Sequence, residues 1–246
     1  MTVELSVVIP AFNEGHSIRH AIAEVMAHVS PQVSTCEIVV VDDGSTDDTG
    51  RILDDLAATN SSLRVIHRPN GGHGPAILTG IRAASGDKFL LLDADREVSL
   101  EDFHEHWRAF QGHKAILGYR VGRNDRGLRS IVSLGMRGLI LVLFGISPRD
   151  ANAPFKLFRA RDWQAARRFI GDDNAIPSVM LAVYLLVSGG SIAERAVIFR
   201  PRRGSRSTLN LRRLCSLCCK AVWSLVRFRI DLLEARVGKH FSVRNS

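Results

Sequence analysis

A chain of 246 residues, 46% of them hydrophobic and 24% charged, can bury one full α/β core with a small appendage, which excludes a disordered or fibrous architecture. Its net charge is +8, yet residues 200–246 hold twelve Lys or Arg against Asp231 and Glu234, leaving 21 basic and 23 acidic groups in residues 1–199. The basic character belongs to the tail, and a transmembrane protein is not expected, because no segment reaches the about 18 uninterrupted apolar residues of a spanning helix.

The apolar segment LSVVIP comes almost at once, without the basic start and cleavage site of a secretory signal, so the chain is expected in the cytosol. Four cysteines agree: Cys36 stands alone, and Cys215, Cys218 and Cys219 lack the second pair that a zinc site or disulfide framework needs. Residues 5–9 (LSVVI) read as a buried strand, and after the PAFNE loop Ile18, Ala21, Ile22, Val25, Met26 and Val29 fall on one helical face. A second strand, EIVVV at 37–41, runs into DDGSTDDT, where Ser45 or Thr46 is expected to cap a helix that carries Asp47 and Asp48 in its first turn and buries Ile52, Leu53 and Leu56. RVIH at 64–67 is a short strand, residues 76–84 a small-residue helix, and KFLLL at 88–92 the strand that delivers Asp93.

This alternation predicts an open, mostly parallel sheet flanked by helices, Rossmann-like in plan. Ligands of such sheets sit outside the carboxyl ends of the strands, so PAFNE, DDGS and DAD should converge on one cleft. In LLLDAD, Asp93 and Asp95 stand one residue apart, and two such carboxylates can share one hard cation, Mg²⁺ or Mn²⁺, that also grips a diphosphate. Taken alone, DAD also reads as a polar strand end beginning a turn. Neither GxGxxG nor GxxxxGK[ST] occurs, which removes the dinucleotide and P-loop readings. A haloacid-type phosphatase would want Thr or Val four residues after its aspartate, and Glu97 stands there.

VVIPAFNE (7–14), VVVDDGSTDDT (39–49), RPNGGHGPAILTGIRAASGD (68–87) and LLLDAD (90–95) together resemble the family 2 glycosyltransferases of GT-A fold, in the branch of polyprenyl-phosphate sugar transferases. The resemblance covers roughly residues 5–207. It implies that Pro10, Phe12 and Glu14 line the base and ribose pocket, that Asp42 contacts the nucleoside, and that Asp93, Ala94 and Asp95 handle the sugar-diphosphate and metal. Glu97 replaces the glutamine often found there and is a candidate third metal ligand, with Arg96 beside it.

In the second half, GYR (118–120) and RSIVS (129–133) resemble elements that place Arg120, Arg129 and Ser133 near a lipid phosphate, which a guanidinium fork suits. RDANAPFKLFR (149–159) puts Asp150 and Lys156 in matching places, which implies Lys156 at the acceptor phosphate. VIFRPRRGSRS (197–207) brings Arg202 to the diphosphate and Arg206 to the acceptor phosphate, with Arg200 where the family often has His and Ser205 where it usually has Gly. A solvated basic face is the alternative for these arginines.

The resemblance implies an inverting, metal-dependent transfer from a GDP- or UDP-sugar to a polyprenyl phosphate. A hydroxyl acceptor needs a carboxylate base, whereas a phosphate monoester is already largely ionised at neutral pH. IPSVMLAVYLLVS holds no acidic residue, which favours the phosphate and leaves Asp150 to orient acceptor or metal. A glycan or small-molecule hydroxyl acceptor and a non-catalytic nucleotide-sugar or nucleic-acid module are the alternatives, though no nucleic acid is expected.

Residues 1–207 are expected to form the catalytic domain and 208–246 a basic amphipathic helical segment. LRRLCSLCCKAVWSLVRFRIDLLEARVGKHF mixes cations with apolar residues as an interfacial helix on anionic lipid does, and packing on the domain is the competing reading. The apolar stretch 131–146, broken by Arg137, is either a core helix or one that dips into a membrane surface. A peripheral position at the cytosolic membrane face follows, by direct lipid docking or through a membrane protein partner.

Overall fold

The computed structural model describes residues 2–122, 128–200 and 211–243. The strands are β1 (Leu5–Ala11), β2 (Cys36–Asp42), β3 (Leu63–His67), β4 (Lys88–Leu91), β5 (Ala115–Val121), β6 (Lys156–Arg159) and β7 (Ile192–Ile198). They form one sheet in the order β3-β2-β1-β4-β6-β5-β7. β1 pairs in parallel with β2 and β4, β2 with β3, and β5 with β7, and β6 alone runs antiparallel to its neighbours β4 and β5. The helices are α1 (Ile18–Glu24), α2 (Thr49–Thr59), α3 (His73–Ala83), α4 (Phe103–Gln111), α5 (Leu128–Phe144), α6 (Ala160–Ala166), α7 (Pro177–Val187) and α8 (Leu211–Val243).

β1 shows why a near-continuous apolar run is needed: it is buried on both faces. Val8 joins a core with Ile77, Leu78 and Ile81 of α3 and with α7, whereas Val7 and Ile9 join the opposite core with Ile18 and Ile22 of α1 and Phe103 of α4. α3 lies so close to the sheet that a Cβ on Gly80 would come within 2.4 Å of Val8 Cγ1. α8 closes the first core with Leu225 and Phe228, and Phe228 meets Phe144 of α5 at 5.7 Å between ring centroids.

Two local expectations are corrected. Met26 is 46% exposed, because α1 runs into a π turn over Val25–Val29 that widens the coil and rotates Met26 off the buried face. Neither Ser45 nor Thr46 caps α2, whose N-cap is Asp48. Ser45 Oγ instead accepts the Asn13 N–H at 3.0 Å and the Thr46 N–H donates to Asn13 Oδ1 at 2.8 Å, so both residues lock two loops together.

Candidate active site

The loops after β1, β2 and β4 and the start of α3 meet at the carboxyl ends of the parallel strands, as the open-sheet rule requires. The first two are interlocked. Asn13 adopts a left-handed φ of 55°, the Glu14 N–H donates to Thr49 Oγ1 at 2.8 Å and the Gly15 N–H to Asp47 Oδ2 at 3.1 Å. Between them opens a cleft of about 330 Å³. Pro10, Phe12, Glu14, Asp93, Ala94 and Asp95 all line it, and so do Asp43, Asn70 and His73.

Asp42 is placed otherwise. It is the last residue of β2, and its carboxylate turns inward to accept the Ser45 N–H at 3.0 Å and to face His67 Nδ1 at 2.9 Å. Those contacts, with Asp54 Oδ1 at 2.9 Å from Nε2, hold the His67 imidazole above its ordinary pKa, the Asp54 bond first. The next residue, Asp43, is the one at the cleft. Its two oxygens accept the N–H groups of Gly71 and Gly72 at 3.0 and 2.7 Å, which ties the DDGS loop to the entry of α3.

Asp93 and Asp95 open together on the cleft. Burial, reinforced by the charge of Asp93, pushes the Asp95 carboxyl up to about 7, against the pull of the Glu97 N–H bonded to its Oδ1 at 3.1 Å. This is the strain that a divalent cation would relieve, and two carboxylate oxygens with room for phosphate suit Mg²⁺ or Mn²⁺. Among the described residues no group of three or more His, Cys, Asp or Glu side chains is arranged to hold a metal, and the charge of Glu97 adds to the rise at Asp95. Arg96 stands between them with a left-handed φ of 60°, and its guanidinium turns to Glu24 Oε1 at 2.5 Å rather than to the aspartates.

Two further cavities lie beyond the cleft. A chamber of about 110 Å³ is bounded by His73, Asp93, Arg120, Asn152 and Ser178. Beyond it lies a groove of about 430 Å³ between α5, α7 and α8, predominantly apolar, bounded by Ile140, Val179 and Ala221 and carrying Arg120, Ser133, Arg137, Arg149 and Asp150 at its polar positions. Arg120 holds Asp150 in a bidentate pair, Nε to Oδ2 at 2.7 Å and Nη2 to Oδ1 at 3.0 Å.

Lys156 is not at the groove surface. It is 1% exposed at the first position of β6, and its ammonium donates to the Ala153 carbonyl and to Ser178 Oγ, the latter at 2.8 Å. Burial pulls its pKa down to about 8, opposed by Asp150 and Asp93. Arg202, Ser205 and Arg206 lie outside the described residues, as does the side chain of Arg129. Arg200 bonds Glu24 Oε1 at 3.0 Å, Ser99 Oγ at 2.9 Å and Glu101 Oε1 at 2.7 Å, away from the cleft.

Asp43, Asn70, His73, Asn152 and Ser178 line these spaces without having been expected there. The first four sit inside motifs already singled out. Ser178 leaves no signal, a lone serine in an apolar stretch.

The model for Glycosyl transferase family 2 matches residues 6–170. Over 169 residues the chain is 30% identical to dolichyl-phosphate beta-glucosyltransferase ALG5C of Trichomonas vaginalis, covering 61% of this chain and 50% of that one. Over 159 residues it is 31% identical to the undecaprenyl-phosphate 4-deoxy-4-formamido-L-arabinose transferase of Edwardsiella ictaluri, covering 63% and 49%. The chain thus spans about half the length of these curated relatives. Glucosyl-3-phosphoglycerate synthase from Mycobacterium tuberculosis, solved with Mn²⁺, uridine diphosphate and phosphoglyceric acid, superposes with a TM-score of 0.64 at 20% identity, over 92% of this chain and 78% of that one. At that identity the likeness shows the fold, the GT-A arrangement.

Proposed function

Because the chain belongs to glycosyl transferase family 2 and is a glycosyltransferase, we propose that it moves a sugar from a GDP- or UDP-sugar to the phosphate of a polyprenyl chain, with inversion at the anomeric carbon. One observation carries this reading: cleft, chamber and groove are neighbours with shared walls. His73 and Asp93 border both cleft and chamber, and Arg120 and Asn152 border both chamber and groove. A nucleotide in the first space and an apolar tail in the last would meet in between. The dolichyl- and undecaprenyl-phosphate sugar transferases among its relatives support the same reading.

The nucleoside would lie against Pro10, Phe12, Glu14 and Asp43, and its diphosphate would reach Asp93, Ala94 and Asp95. Bound Mg²⁺ or Mn²⁺ at Asp93 and Asp95 would neutralise charge on the leaving diphosphate. Arg202 remains a proposed diphosphate contact, and Arg129, Ser133 and Arg206 proposed acceptor contacts. Arg120 waits at the chamber with its fork already oriented by Asp150, a charge-assisted geometry suited to phosphate oxygens. Asp150, engaged by that guanidinium, is poorly placed as a general base and well placed as its positioning partner. That favours a phosphate acceptor, ionised without help, over a hydroxyl.

The division into a catalytic domain, 1–207, and a basic segment, 208–246, belongs to the same proposal, with the second serving the lipid side. Among the described residues no helix is long and apolar enough to cross a membrane. Leu134, Leu141 and Val142 of α5 and Val222 and Trp223 of α8 are nonetheless exposed. A peripheral position on an anionic membrane, at its cytosolic face, accounts for them, and a membrane protein partner would extend the same surface.

The test is nucleotide release from GDP- and UDP-sugars, with and without Mn²⁺ and a polyprenyl phosphate. Release that requires lipid, metal and Asp95, and disappears in Asp95→Ala, is expected. Metal-dependent release indifferent to lipid would overturn the acceptor, and no release from any donor would overturn transfer.

A further inference from the structure

His67 stands outside the cleft, yet it holds the loops that line it. It ends β3 at the edge of the sheet, directly across from Asp42 in the parallel pairing of β2 with β3. Its ring reaches two carboxylates at once, Nδ1 lying 2.9 Å from Asp42 Oδ2 and Nε2 2.9 Å from Asp54 Oδ1 on α2. A neutral imidazole carries one N–H and can serve only one acceptor, so the doubly bonded ring is an imidazolium. The same two bonds, that of Asp54 first, keep its pKa above the ordinary 6.5.

The two partners differ in how well they could do without the ring. The Asp54 side chain is 65% exposed and can turn to water, whereas that of Asp42 is 7% exposed. α2 presses on the pair at Gly50, where a Cβ would come within 3.1 Å of Asp42 Oδ2 and 3.5 Å of His67 Cε1. A carboxylate so enclosed depends on its donors. Asp42 Oδ1 takes the Ser45 N–H at 3.0 Å, Ser45 Oγ takes the Asn13 N–H at 3.0 Å, and Asn13 stands between Phe12 and Glu14. Three hydrogen bonds thus lead from the ring to two residues of the cleft wall. The neighbouring cations are engaged elsewhere. Arg68 turns to Asp43 at 3.5 Å, Arg64 to the Ala83 carbonyl at 2.9 Å, and Arg51 to Asp48 and Asp55, each at 3.3 Å.

We propose that His67 is a positioning residue for nucleotide binding: donating through Nδ1 to Asp42, it fixes the interlocked PAFNE and DDGS loops that receive the nucleoside. The inference rests on the nucleotide reading of the cleft above and adds the residue that sets it from behind. Asp42 then serves the nucleoside through the loops rather than by touching it. When the ring loses its proton, one N–H remains for two carboxylates. Asp54 goes over to water, and the bond to Asp42 weakens from a charge-assisted one to a neutral one. Nucleotide affinity therefore falls as pH rises through the pKa of the ring.

The experiment measures binding of GDP and UDP to the full chain by calorimetry, with Mg²⁺, between pH 6 and 8.5, beside the melting temperature of each variant. His67→Asn and His67→Gln separate the two ring nitrogens, because the Asn amide stands near the place of Nδ1 and the Gln amide near that of Nε2. At pH 6 the Asn variant should bind the preferred nucleotide within about threefold of wild type, and the Gln variant about tenfold more weakly, as an enclosed acceptor losing its donor requires. With rising pH the wild type should weaken by about threefold relative to His67→Asn and converge on it, since the amide donor does not titrate. Asp95, whose pKa is about 7, is common to all these proteins, so the difference isolates the ring. Asp54→Asn should move the convergence to lower pH, and it tests the same link where a change at His67 disturbs folding. Equal affinities in the Asn and Gln variants, or a convergence that Asp54→Asn leaves in place, would overturn the assignment and confine His67 to folding. A wild type that binds neither GDP nor UDP would overturn the nucleotide reading itself, and this inference with it.

Discussion

Asp95 serves two opposed ends. It is drawn into a partly buried site beside Asp93, and that placement raises its carboxyl pKa from an ordinary 3.8 to about 7. The sign of the consequence is definite. Between about pH 4 and 7 the unfolded chain ionises this group while the folded one resists, so its contribution to folding becomes steadily less favourable with rising pH and is most unfavourable above 7. Asp95→Asn keeps the shape and removes the charge. In chelator at pH 8 the variant should be more stable than wild type, by on the order of a few kcal/mol at most, and melt at a higher temperature, and the difference should shrink towards pH 4. Added Mn²⁺ should stabilise the wild type and not the variant. Equal melting temperatures at pH 8 in chelator would remove the repulsion argument, and Mn²⁺ stabilisation of both would place the metal elsewhere.

The loops that present these residues are held from behind by α1. Glu24, its last residue, accepts from Arg96 Nη2 at 2.5 Å and from Arg200 Nη1 at 3.0 Å, joining the Asp93–Asp95 loop to the end of β7. Two backbone bonds follow the same seam, the Ser99 N–H to the Ile198 carbonyl at 3.0 Å and the Arg200 N–H to the Glu97 carbonyl at 2.7 Å. Glu24→Ala would leave two guanidiniums facing each other with no carboxylate between them. A loss of about 1–3 kcal/mol in stability is expected, and a higher Mn²⁺ concentration for half-maximal turnover, because the metal loop loses its backing. Glu24→Gln should lie between. An alanine variant of reduced stability but unchanged metal dependence would confine Glu24 to folding.

The same elements show what a sequence can disclose. β1, β2 and β4 are legible because each is an unbroken apolar run that stops at a polar loop, and the open-sheet rule then brings PAFNE, DDGS and DAD together. Which aspartate of the DDGS loop meets the cleft is not legible: the choice between Asp42 and Asp43 turns on where β2 ends, a one-residue matter of strand register. The reversal of β6 is likewise silent, since KLFR has the same apolar character in either direction and only its pairing with β4 and β5 reveals it. Lys156 looks like a phosphate ligand in a motif and proves to be an enclosed donor, because burial is set by the strands on either side of it. Met26 moves out of phase for a reason that no periodicity encodes, a π turn.

At the scale of the molecule the question is what covers α5 and α8. α8 turns Ala221, Leu225, Phe228 and Leu232 into the core and leaves Val222, Trp223, Ile230 and Leu233 outside, at spacings that share one outward arc. Lys220 and Arg227 are exposed beside that arc. An apolar strip edged by Lys220 and Arg227, with the exposed Glu234 the one acid on that side, is what an anionic leaflet receives, and the acceptor groove lies between these same helices, where a prenyl tail would have to arrive from lipid. The three tryptophans make this measurable, because Trp163 is 3% exposed and Trp223 68%. Titrating the full chain with phosphatidylglycerol vesicles should shift its emission to the blue, an effect that weakens as salt is raised and is largely absent with neutral phosphatidylcholine. Trp223→Ala should abolish most of the spectral change and reduce cosedimentation with anionic vesicles roughly tenfold, the scale expected for one large apolar side chain leaving water. If the chain ignores anionic vesicles even at low salt, the strip belongs instead to a protein partner, and the acceptor would then have to be delivered to the groove by that partner.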